Sequence, residues 1–129
     1  MTSPRQTAVW IDHHEARVFH VEGTSIDESM IESPHHHLHR HPKGPTPEHE
    51  HPDDQHRFFQ EIAGALRDGD QILVMGPGVG KLQLLRYLQQ HDPELEKKIV
   101  GIETVDHPTD RQLVAHVRQY YQLAGPGAR

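Results

Sequence analysis

From Ser33 to Pro52 the chain reads SPHHHLHRHPKGPTPEHEHP, and no apolar face of helical or alternating period can be drawn through it. Pro34, Pro42, Pro45, Pro47 and Pro52 exclude a regular helix or a central strand there, because proline lacks the backbone donor that both need. The segment reads as a long exposed loop, so any core must come from the residues on either side. With 129 residues of which 33% are hydrophobic, that core is lean, and residues 1–129 are expected to form one domain.

The same segment concentrates an unusual residue. Of 14 histidines, more than the 13 lysines and arginines together, eight fall between Pro34 and His56. Formal charge is −6 with every histidine neutral, so the sign of the net charge depends on pH near neutrality. The absence of cysteine rules out disulfides, thiolate zinc sites and thiol nucleophiles, and permits a reducing compartment. No window approaches the ~18 apolar residues of a membrane span, and the reading is a soluble, cytoplasmic chain without a membrane partner.

Before the loop, Thr7 to Ile11 and Ala16 to Val21 read as strands separated by the polar turn Asp12-His13-His14-Glu15, the second of them half-buried. Ser25 to Glu32 is a weaker third, which makes an antiparallel meander. After the loop, Asp53-Asp54 opens a helix to Leu66 with Phe58, Phe59, Ile62, Ala63 and Leu66 on one face. Gln71 to Met75 is a buried strand, and Gly76-Pro77-Gly78-Val79-Gly80 leads into a helix from Lys81 to Gln90 whose apolar residues are Leu82, Leu84, Leu85 and Leu88. Pro93 to Lys98 reads as a connector, Ile99 to Val105 as the last strand, and Thr109 to Tyr121 as the last helix, followed by a fraying tail at 125–129. The order β-β-β-α-β-α-β-α implies an α/β fold, one mixed sheet with helices packed on it and the later strands parallel, which is the ribonuclease H-like arrangement.

The glycine loop is not a phosphate-binding P-loop, since Met75 and Leu82 stand where that motif needs Gly and Ser or Thr. The dinucleotide fingerprint fails as well, for Lys81 occupies its third glycine. Two readings remain: backbone amides of Gly76, Gly78 and Gly80 with Lys81 beside them as a site for one phosphate or carboxylate, or a tight strand-to-helix turn. A two-metal nuclease would recruit Asp12, Asp106 and Glu61, yet Gly76 stands where a further acid is needed, and Asp12 is equally a hairpin residue.

Three readings of the loop stay open. Imidazoles of His35, His37, His39, His41, His49 and His51 could capture zinc, nickel or copper, or respond to pH, although their spacing is not that of a structural zinc site. A polar arm of His35, His36, His37, His39, Arg40, His41 and Lys43 could contact RNA by stacking on bases and pairing with phosphate. The third is a solvated insertion. No cofactor is required by any motif, and no nucleophile–base–acid set stands out.

Residues Ala8-Val9-Trp10-Ile11-Asp12 with Glu15-Ala16-Arg17-Val18, Ile72 to Gly78 with Lys81 and Leu84-Leu85, and Val100 to Val105 with Asp110 and Leu113 resemble the middle domain of the class-1 peptide-release factors of eukaryotes and archaea and of their relative Pelota. The resemblance spans nearly the whole chain and is nearest to single-domain bacterial-type members. It places the loop 33–52 where that family keeps its catalytic Gly-Gly-Gln, a tripeptide this sequence lacks. Nor are the family's flanking domains, which read the stop codon and recruit a GTPase, among these residues. What the resemblance implies is a non-enzymatic protein that binds the ribosome or ribosomal RNA, not DNA, and presents the loop to it.

Overall fold

Every residue from Thr7 to Ile11 is apolar or β-branched, which suits a strand covered on both faces. A computed structural model describes residues 4–33 and 52–123. Strand β1 (Gln6–Ile11) lies at the centre of a five-stranded sheet of order β3-β2-β1-β4-β5. Strand β2 (Glu15–Glu22) pairs antiparallel with β1, Val9 opposite Val18, and β3 (Ser25–Glu32) pairs antiparallel with β2. On the other side β4 (Gln71–Gly76) runs parallel to β1, Val9 opposite Val74, and β5 (Ile99–Thr104) runs parallel to β4. The meander and the parallel half are thus as the sequence implies.

Among the described residues four helices cover the sheet: α1 (Pro52–Leu66), α2 (Gly80–His91), the single turn α3 (Pro93–Glu96) and α4 (Asp110–Tyr120). Alternation along β1 divides the core in two. Val9 and Ile11 face α1, α2 and α3 with Phe58, Phe59, Ile62, Leu66, Leu84, Leu88 and Leu95, while Ala8 and Trp10 face α4 with Leu113 and Val117. A sheet sandwiched in this way buries both faces of its middle strands.

Four local differences from the sequence reading follow from that sandwich. Strand β2 is not half-buried, since Val18 and Phe19 are both inaccessible, one under each helical layer. Leu82 is 53% exposed while Lys81 is buried, because the buried stripe of α2 runs through positions 81, 84 and 88. The Pro93–Lys98 connector contains the turn α3, whose Leu95 plugs the core, so the chain order gains one helix. And Pro52, assigned above to the loop, is the first residue of α1, a position that dispenses with the proline's missing donor. The tract 34–51 and the tail 125–129 lie outside the described residues. Among the described residues no helix is long and apolar enough to cross a membrane.

Helix α4 is fastened at both ends. Thr109 caps it in a reciprocal capping box with Gln112, and Arg17 of β2 reaches its first residue, Nη1 donating to Asp110 Oδ1 at 2.6 Å. Burial opposes the Arg17 charge, but the hydrogen bond and charge of Glu15, with the charges of Asp110 and Glu28, outweigh it and hold the guanidinium above its ordinary pKa. At the far end Tyr121 donates its hydroxyl to the carbonyl of Thr7 at 2.8 Å, and burial there pushes its pKa up. Between these ends Trp10 is 1% exposed and its Nε1 donates to the carbonyls of Val105 and Asp106, at 3.1 and 3.0 Å. Trp10→Ala is expected to lower stability by about 3–5 kcal/mol, read as a drop in the urea midpoint, because it opens a cavity and orphans both contacts. A loss under ~1 kcal/mol would show that α4 docks without the indole.

Candidate functional site

Strand β2 alone runs against the others, so β1, β3, β4 and β5 all end at one rim of the sheet. From it spring the Asp12–His14 turn, the exit of the chain at Ser33 toward the histidine tract, the glycine loop and the loop 105–109. Open α/β sheets place ligands at this end, where helix N-termini and loops converge. Backbone hydrogen bonds lace the rim together: Ser33 N donates to His14 O at 2.9 Å and Val105 N to Gly76 O at 3.2 Å.

At its centre Asp12 closes the first turn, Oδ1 accepting from the amides of His14 and Glu15 at 2.8 and 2.9 Å. Its Oδ2 faces His107 Nε2 at 3.4 Å, and His107 Nδ1 lies 3.1 Å from Asp106 Oδ1. The two aspartates that a two-metal nuclease would recruit are therefore bridged by an imidazole. Glu61 projects from the exposed side of α1, and no group of three or more potential metal ligands occurs among the described residues. The His107 ring also stands edge-on to Trp10, centroids 5.4 Å apart, so the indole that pins the loop orients the imidazole. Above these groups opens a cleft of about 360 Å³ lined by Asp12, His13, His14, Gly78, Gly80 and His107.

The glycine loop forms the opposite wall. Gly76 has φ +151° and a Cβ there would stand 2.2 Å from the Ile11 carbonyl oxygen, so the loop crosses β1 at backbone contact. Gly78 sits at φ +59° with open space around it. Lys81 is 6% exposed and donates from Nζ to the Gly78 carbonyl at 2.7 Å, so its charge closes the loop from beneath. The N-terminus of α2 carries no side-chain cap and no acid in its first turn, and its first residue, Gly80, lines the cleft.

The structure thus gathers Gly76, Gly78, Gly80 and Lys81 at one rim, together with His13, His14 and His107, which the sequence reading did not single out. His107 meets Asp12 across 95 residues, a pairing without local signal. His35, His36, His37, His39, Arg40, His41, Lys43, His49 and His51 lie outside the described residues, but the chain enters their segment at Ser33 and leaves it at α1. Gly76→Ala is expected to destabilise most, Gly78→Ala by about 1–2 kcal/mol through its backbone angle alone, and Gly80→Ala least, since its nearest neighbour would be 3.8 Å away. Chemical denaturation of the three variants reads that order, and equal losses would refute the backbone-contact account.

Neither a protein-family model nor a curated protein sequence matches the chain. Solved structures do. Pelota of Archaeoglobus fulgidus superposes with a TM-score of 0.60 at 18% identity over 94% of this chain, and Pelota of Thermoplasma acidophilum with 0.61 at 20% identity over 90%. An archaeal translation termination factor, aRF1, matches with 0.60 at 14% identity over 92%. The chain spans 32–36% of the length of these proteins. In fold, this chain is a Pelota- and release-factor-like α/β domain.

Proposed function

We propose that the chain is a non-enzymatic, translation-associated cytoplasmic protein that binds the ribosome or structured RNA and presents its histidine tract there. The observation that carries this reading is the likeness, over nine-tenths of the chain, to Pelota and to the termination factor aRF1. Dom34 of S. cerevisiae, which also matches, is a translation termination-like factor involved in RNA quality control. The sequence has no Gly-Gly-Gln, so peptidyl-tRNA hydrolysis is not part of the proposal.

The rim supplies a physical rationale. It holds His13, His14 and His107 against an uncapped helix N-terminus, and the tract with His35, His36, His37, His39, Arg40, His41 and Lys43 departs from the same end. Imidazoles stack on bases when neutral and pair with phosphate when protonated. With histidine neutral the chain carries −6, which repels a polyanion, and protonation removes that repulsion where the histidines are concentrated.

The chain is therefore expected to cosediment with ribosomes at low salt, more at about pH 6 than at pH 8, and to leave the pellet steeply as salt rises. Replacement of the tract histidines and Arg40 by serine should weaken pelleting at pH 6. A protein that stays in the supernatant at pH 6 and low salt refutes the reading. Stoichiometric micromolar zinc or nickel binding that disappears when His35 to His41 become serine would favour the metal-responsive module instead.

A further inference from the structure

A second concavity, distinct from the rim cleft, lies between α1 and α2. It encloses about 330 Å³ and is walled by Gln55 and His56 from α1 and by Arg86, Tyr87, Gln90 and His91 from α2. Tyr87 and His91 are one helical turn apart, and their rings lie 4.6 Å apart with planes tilted by 32°. His56 meets both edge-on, 5.1 Å from Tyr87 and 5.0 Å from His91. Phe59 backs Tyr87 at 5.6 Å and joins it to the core, so the rings form a platform fixed by two helices. His56 and His91 are exposed and Tyr87 is half-buried, which leaves the platform accessible.

The polar lining is one-sided. Among the described residues that line it, Arg86 is a cation, Gln55, Gln83 and Gln90 supply amides, and none is a carboxylate, although the charge of Asp92 reaches Tyr87 from beside it. Ring faces stack on any nucleobase, amides donate and accept along base edges, and a guanidinium pairs with phosphate. The volume suits a nucleotide or a small ligand rather than a duplex. Gln55 and Phe59 also line the recess beside Asp12, Ser33 and Gly80, so the groove continues from the rim.

We propose that the groove between α1 and α2 is a nucleobase-binding site for single-stranded RNA, with Tyr87 and His91 as the stacking surface and Arg86 as the phosphate contact. The proposal rests on the RNA reading above and narrows it to an unpaired nucleotide seated beside the rim.

The test is fluorescence anisotropy of the full chain with labelled oligouridine and oligoadenosine hexamers at low salt, beside an RNA duplex of equal length. The hexamers are expected to bind at least about tenfold tighter than the duplex. Arg86→Gln and His91→Ala, both on exposed side chains, should each weaken hexamer binding by roughly tenfold, with the unfolding midpoint unchanged. Equal affinity of wild type and both variants overturns the proposal, as does a groove that takes zinc through His56 and His91 and no hexamer. Ribosome cosedimentation separates the two readings. Wild-type pelleting without hexamer binding sinks the groove alone, whereas loss of both in the wild type sinks the RNA reading with it.

Discussion

The indole of Trp10 is the contact on which the arrangement of the rim depends. It is a central-strand residue whose ring lies beneath α4, whose nitrogen is bonded to the loop after β5, and over which the Arg17 guanidinium sits at 5.2 Å. Desolvation makes each of these contacts count, since a buried N–H without an acceptor costs more than a hydrogen bond gains. Because the same ring abuts His107, the position of the imidazole over Asp12 follows from the packing of β1 rather than from the loop's own preferences. Arg17 extends the effect to Asp110, so one strand pair fixes where α4 begins.

The two ends of the sheet differ in a way that bears on function. At the amino ends of β1 and β4 the chain is closed by hydrogen bonds: Asp70 N to Arg5 O, Gln6 to Gln71, and Tyr121 to Thr7 O. At the carboxyl ends polar groups remain in clefts, glycines bring backbones together, and the histidine tract enters and leaves. A concavity of about 250 Å³ lined by Arg5, Gln6, His20, Glu22, Asp27 and Asp68 lies at the amino end too, but the glycine loop and the N-terminus of α2 converge at the carboxyl end.

The order of elements was legible because β1 and β4 are continuous apolar runs, α1 repeats apolar residues at helical spacing, and glycine and proline mark the breaks. Burial was less legible where tertiary covering overrode local pattern. Arg17, Phe19 and Val21 alternate with Val18 and His20 as in a strand with one wet face, yet helices on both sides bury Val18 and Phe19 alike. Lys81 reads as a free cation by residue type and is buried by helical phase, its charge answered by a carbonyl three residues back. Of the site, the glycine turn and the hairpin role of Asp12 had local signatures. The bridge from Asp12 through His107 to Asp106 joins residues that sequence places at opposite ends of the chain.

Histidine abundance resolves into distinct physical roles once the rings are placed. His20 Nε2 lies 2.8 Å from the Ala65 carbonyl and ties β2 to α1, while His116 pairs with Glu103 between α4 and β5. These two bond across elements and serve the scaffold. His13, His14 and His107 line the rim cleft, and His56 and His91 form the platform between α1 and α2. The placed histidines thus divide between bonds within the scaffold and two clefts that open to solvent. On the RNA reading proposed above, those clefts and the tract are where a domain of formal charge −6 would meet a polyanion, while its acidic groups elsewhere would oppose indiscriminate binding.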